Sequence, residues 1–351
     1  MDDRNAQVGW TEAQWNRVRE EVLEAWQRVR VAGSFLPLYG PLPPSTTVVP
    51  SEVLKDDGSV DDRATADLLE IALPVRLSRQ QIQEEDLSSA LLQFRRRATQ
   101  LGQLEDWYIF NGIYPSTVLL PNAGAAFAQE KKAGLPGYRP ALPYLEYLTP
   151  SEWAPVSGTP MEGVKESLQI EDMRHRNPGA LGLIEAPWVA RKAKRAAQAW
   201  QLNNDGLMKA IVGAINSLEE DGYVAPYVCV FGRNPFEAAF TSINNSTVLP
   251  RDRIEPLIGR ELLHASAIDV LPHRFDLYDA KPDEEEWRSR GVLVSMAGEP
   301  IDLALAADAT PEFRQVDVDG HYVFSVFERF ALRIKDARAI VPLRFEKPKK
   351  P

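Results

Sequence analysis

The residues of this chain that could do chemistry are its histidines, its one cysteine and its runs of carboxylates, and their arrangement argues against a reaction centre. His175, His264, His273 and His321 are far apart, and no two share the one-turn spacing that sets a pair of metal ligands on one helix face. Cys229 sits inside the apolar run Tyr227-Val228-Cys229-Val230-Phe231, the setting of a buried, inert thiol rather than a nucleophile. A lone cysteine also builds neither a structural zinc site nor an intrachain disulfide. Carboxylates cluster at Asp56-Asp57, Asp61-Asp62, Glu84-Glu85-Asp86, Glu219-Glu220-Asp221 and Asp283 to Glu286. All fall in turns or at expected helix ends, whereas a general acid needs a shielded carboxyl. Glycine-rich phosphate loops and a G-x-S-x-G elbow are absent. The expectation is a chain that is not an enzyme, with no catalytic residue and no metal ligand.

Bulk composition narrows the class further. The 351 residues are 44% hydrophobic and 26% charged, as in a folded globular protein. No apolar run is long enough for a membrane span. The acidic start, MDDRNAQVGW, is unlike a secretory signal, and the cysteine usage agrees with a cytoplasmic location. A net charge of −10 and a pI near 5.1 argue against a nucleic-acid coat, which concentrates Lys and Arg. The basic stretches Arg95 to Arg97 and Arg191 to Arg195 read as solvated helix faces.

The elements that would carry any site are legible in the pattern. Thr11 and Gln14 form a capping box, Trp10 can staple onto Trp15, and Trp15, Val18, Val22, Trp26 and Val29 define a stripe to about Val31. That stripe either faces a core or borders a groove for a partner peptide. Residues 33–70 hold Gly33, Pro37, Gly40, Pro41, Pro43, Pro44 and Pro50 and read as an extended two-stranded arm along Val48, Val49, Val53 and Leu54. An arm without a core of its own must pack on something else, and a neighbouring subunit is the simplest candidate. An apolar strand ending at Leu77 leads through a polar turn into a long helix. Leu87, Leu91, Phe94, Ala98, Leu101 and Tyr108 line one face of it, Arg95, Arg96, Arg97, Gln100 and Glu105 the other, and Gly112 stops it. Residues 113–177 form a proline-punctuated insertion with ordered-type aromatics. Helices are expected from Asp205 to Gly222, around Asn234 to Phe240 and from Pro250 to Gly259. Strands are expected at Tyr227 to Phe231, Leu262 to Val270, Gly291 to Met296, Ile301 to Ala306, His321 to Ile334 and Ala339 to Phe345.

Four blocks in this order resemble encapsulins, the linocin-type shell proteins that share the tailed-phage major capsid fold. They are Trp10 to Trp15 with its helix through Gly33-Ser34-Phe35 to Gly40-Pro41; Leu73 to Gly112; Asp221-Gly222-Tyr223 with Pro226-Tyr227-Val228 and Leu249-Pro250; and Tyr322-Phe324-Val326 with Ala339-Ile340-Val341. The resemblance implies an α+β, phage major-capsid-like fold. Its parts would be an N-terminal helix (1–32), an extended arm or E-loop (33–72), a spine-helix peripheral domain (73–112 with 307–346), the insertion (113–177), an axial domain (178–306) and a tail (347–351).

The same resemblance implies a self-assembling icosahedral shell of sixty copies, or a multiple, around a cargo enzyme recruited by a targeting peptide, in a cytoplasmic nanocompartment. Its cargo-peptide groove would use Val22, Trp26, Val29, Phe35 and Leu36. Ser34 and Pro37 stand where relatives carry charges, so the groove would be more apolar. The turn Asn244, Asn245, Ser246, Thr247, Val248 and Leu249 matches the pore loop and implies a neutral polar pore. Gln80 replaces a flavin-stacking tryptophan of some relatives, so no cofactor is expected. The insertion would decorate the outer face or extend a contact between subunits. The alternatives are a prophage major capsid protein packaging nucleic acid, which the acidic charge and the start close to the first helix disfavour, and a bacteriocin-like or proteolytic enzyme.

Overall fold

Thr11 and Gln14 close the capping box that their spacing predicts. The Gln14 N–H donates to the Thr11 hydroxyl and the Thr11 N–H to the Gln14 side chain, which starts α1 (Glu12–Val29). Trp10 folds back over this turn, its ring 5.0 Å from that of Trp15. The structure, a computed structural model, describes residues 5–54, 58–112, 179, 182–184, 186, 199–242, 248–269 and 290–346. The 113–177 insertion and the basic run Arg191 to Arg195 lie outside the described residues.

After α1, one 3-10 turn (Ala32–Ser34) leads to β1 (Leu38–Tyr39). The arm consists of β2 (Val48–Pro50), β3 (Val53–Leu54), β4 (Val60–Asp61) and β5 (Thr65–Asp67), folded as two short antiparallel ribbons, β2 on β5 and β3 on β4. Then come β6 (Leu69–Leu77), the single turn α2 (Arg79–Ile82) and the spine, α3 (Ser88–Asn111). The Asp86 and Glu84 carboxylates accept the N–H groups of Ser88 and Ser89, so the acidic run caps the spine. Gly112 ends it at φ 83°, a conformation that disfavours a Cβ.

Further along lie β7 (Ala199–Gln201), α4 (Asn204–Glu220), β8 (Tyr227–Phe231), α5 (Arg233–Ala239), α6 (Pro250–Ile258), β9 (Leu263–His264), β10 (Arg290–Ser295), β11 (Ile301–Val316), β12 (Tyr322–Ile334) and β13 (Ile340–Glu346). Two strands differ from expectation. The segment expected as a strand from Leu262 has only two strand residues before a 3-10 turn at Ser266–Asp269. β11 continues past Ala306 to Val316, and its register on β12 slips between Leu305 and Thr310, breaking the alternation by which a strand is read.

The strands form a sheet in the order β1-β11-β12-β6 and another in the order β7-β13-β10-β8-β9. α1 and α3 lie over the first, and Trp15, Val18, Val22, Leu73, Leu91, Phe94, Phe313 and Phe324 pack between them. The Phe324 ring stands at the centre, 5.2 Å from Trp10 and 5.3 Å from both Phe94 and Phe313. The second sheet is covered on one face by α4 and α6 through Leu207, Ile211, Leu218, Ile254 and Ile258. Val228, Val230, Val292 and Val294 face the main core instead, so β8 and β10 are buried on both sides and read as unbroken apolar runs.

The strand pairing runs across residues 306 and 307. Ile301 and Leu303 already pair with β12, and β13 crosses to the second sheet beside β10. Both follow from where the backbone hydrogen bonds go, which periodicity cannot reveal.

Candidate functional site

Among the described residues, the cysteine and the histidines lie in structural settings; His175 and His273 lie outside the described residues. Cys229 is fully enclosed, and burial pushes its thiol up, away from the reactive thiolate. His264 is exposed at the surface; desolvation leads in lowering its pKa, and its ring packs 5.0 Å from Phe236. At the β11–β12 turn Asp317, Asp319 and His321 bring one ligand-type atom each within 4.8 Å of one another, although no metal ligand was expected from sequence. Asp317 there accepts the backbone N–H groups of Asp319 and His321, and the His321 bond leads in holding its carboxyl below the usual range. Those are the bonds of a tight turn.

The most unusual chemistry lies where α1 crosses the spine. Gly102 makes the crossing possible: a Cβ there would come within 2.8 Å of the Val29 side chain and 3.0 Å of the Trp26 carbonyl oxygen. One turn on, Arg30 forks onto Glu105 through two hydrogen bonds, and its guanidinium lies 3.7 Å from the centre of the Trp26 ring. Asp106 accepts the N–H groups of Val31 (2.8 Å) and Ala32 (2.9 Å), capping from another helix the turn that follows α1. The Trp26 indole N–H donates to Glu328 of β12. Glu105 and Glu328 are 0% exposed and Asp106 is 4% exposed.

This corrects the expected polar face of the spine, because Gln100 and Glu105 point inward and only Arg95 and Arg96 are exposed. The reason is a partner contributed from a distance. Arg30 arrives from α1, and a carboxylate with a bidentate guanidinium can be enclosed where a lone one cannot. Sequence reasoning also missed Asp106 and Glu328. The available signal was a pair of acids, Glu105-Asp106, in an otherwise apolar helix end.

The arm base forms a second constellation. Arg329 of β12 binds Glu70 and the Pro44 carbonyl. Arg333, on the same strand face and 2% exposed, forks onto Asp302 at 2.6 Å for both bonds and donates to the Pro50 carbonyl at 2.8 Å. Its guanidinium also covers the Tyr39 ring at 3.6 Å. Val49, Ala66 and Leu68 pack on Ala304, Ala306 and Ala331. The expectation of an arm with no core on its own chain is thereby corrected: its base is fixed by β11 and β12, through alanines and arginines too distant in sequence to be paired by pattern.

The other expected site residues fall as follows. Val22, Trp26, Phe35 and Leu36 belong to the main core, and Val29 of that set is partly exposed. Val49 is buried, Val53 and Leu54 are half-buried, and Val48 is 46% exposed. Asn244, Asn245, Ser246 and Thr247 lie outside the described residues; Val248 is exposed and Leu249 precedes α6. Gln80 is exposed on α2. Among the described residues no helix is long and apolar enough to cross a membrane.

No protein-family model matches the chain, and no curated protein matches it. Among solved structures, the virus-like particle from Pyrococcus furiosus aligns with 95% of this chain and 100% of its own, at 11% identity and a TM-score of 0.56. The chain has the α+β capsid fold of encapsulins and tailed phages. The holo-SrpI encapsulin complex from Synechococcus elongatus PCC 7942 also aligns, at 9% identity, a TM-score of 0.45 and 92% of each chain. The capsid of an empty GTA particle does so at 12% identity and a TM-score of 0.46, over 92% of this chain and 89% of that one.

Proposed function

We propose that this chain is the subunit of a closed shell, built from sixty copies or a multiple, that encloses a cargo protein and performs no reaction itself. The observation that carries the reading is overlap along the whole length: one particle-forming fold accounts for 95% of the chain. The clamped arm supports it. A ribbon held rigidly at its base, with Val48 and Val60 exposed beyond, suits reaching over an adjacent copy.

Within this proposal the interior is cytoplasmic and holds protein rather than nucleic acid, which the net charge of −10 supports. A cargo peptide has room beside the core residues rather than on them, at half-open Val29 and along the sheet edge β1, where Leu38 is 61% exposed. The pore is assigned to Asn244 through Leu249, neutral and polar.

Electron microscopy of the purified full-length protein tests the reading. Closed particles of uniform diameter are expected, and a protein that stays monomeric across ordinary salt and pH overturns it. Nucleic acid protected inside nuclease-treated particles would replace the cargo reading with that of a phage capsid.

A further inference from the structure

We propose that Glu328, Glu105 and Asp106, gathered around the guanidinium of Arg30, form a proton-dependent latch that holds α1 on the spine and on β12 while Glu328 is protonated, and loosens when Glu328 releases its proton to solvent. The cluster joins three elements. Arg30 comes from the end of α1, Glu105 and Asp106 from α3, and Glu328 from β12.

Arg30 neutralises Glu105, and two backbone N–H groups satisfy Asp106. Glu328 is the surplus acid. One of its oxygens takes the Trp26 N–H, and the other is enclosed without a hydrogen-bond partner among the described residues. A carboxylate left in that state is costly, whereas a neutral carboxyl group is tolerated. Burial raises Glu328 well above its ordinary value of 4.5, with the charge of Glu105 adding to it and Arg30 and Trp26 opposing. Burial likewise lifts Asp106 to about 7, against its two backbone N–H groups and with a smaller contribution from Glu105. Glu105 is also raised by burial, with Arg30 opposing.

The sign follows from linkage. Both Glu328 and Asp106 keep protons in the folded chain at pH values where the unfolded chain has lost them. Their stabilisation is complete in acid and is lost as pH rises through the folded values, about 7 for Asp106. The structural consequence is local: two net negative charges remain at the α1 crossing, so the end of α1 opens to water. This is a property of the single chain and does not depend on shell assembly.

The test compares the full-length wild type with Glu328→Gln, whose amide accepts the Trp26 N–H and has no proton to lose. Melting temperature between pH 5 and 9 is expected to fall in the wild type by roughly 2 °C per pH unit more than in the variant. Amide exchange of residues 22–32 should accelerate with pH more in the wild type than in the variant. Equal slopes in both measurements overturn the latch. If Glu328→Gln does not fold, infrared difference spectra of the wild type and of Asp106→Asn decide: both should show a neutral carboxyl band at pH 7 that disappears in alkali. Its absence overturns the proposal.

Discussion

A glycine inside a helix costs about 1 kcal/mol relative to alanine, so Gly102 in the middle of the spine would ordinarily be a position to improve. Here the sign is reversed, because a methyl group would press on the stiff Val29 side chain and the Trp26 carbonyl. Gly102→Ala is expected to lower stability by about 1–3 kcal/mol, read as a shift in the denaturation midpoint. Cys229 behaves oppositely. It is enclosed in a strand buried on both faces, so thiol reagents should modify it only after unfolding, and modification of the native protein would show that β8 opens.

At the scale of elements, the helices are set by local chemistry and the arm by long-range charge. Thr11→Ala removes half of the box that starts α1 and should cost about 1 kcal/mol, measured by thermal or denaturant unfolding. Arg333→Ala strands Asp302, although Lys335, 2.9 Å away, compensates in part. A loss of about 3 kcal/mol is expected, below the upper range for a broken buried pair. It also frees the Pro50 carbonyl, so residues 45–54 should become protease-sensitive while the helical circular dichroism signal persists. A variant cut no faster than wild type there would mean that the arm is held by its apolar base alone.

Among the described residues, the core beneath α1 and α3 reaches the valine face of the second sheet, whose other face packs a second cluster under α4 and α6. The two sheets therefore should unfold together rather than as separate parts. The proposed closed assembly would add a second cooperativity, since each copy would make many weak contacts at once. Sedimentation is expected to show free subunits and complete particles with little between them. A continuous ladder of sizes would argue for open polymers.

Local periodicity by itself determined the capped first helix, the spine with its glycine stop, the buried strand around Cys229 and the β-rich tail. Each of these rests on neighbours within a few residues. Four blocks of ordinary residues in a fixed order were also enough to point to the capsid fold. Only the tertiary structure decided that Glu105 and Gln100 face inward, that Trp26 and Phe35 are buried in the core, and that the arm is anchored to β12. A charge is best buried beside its counter-charge, and Arg30 and Arg333 meet Glu105 and Asp302 across chain separations on which no spacing rule acts.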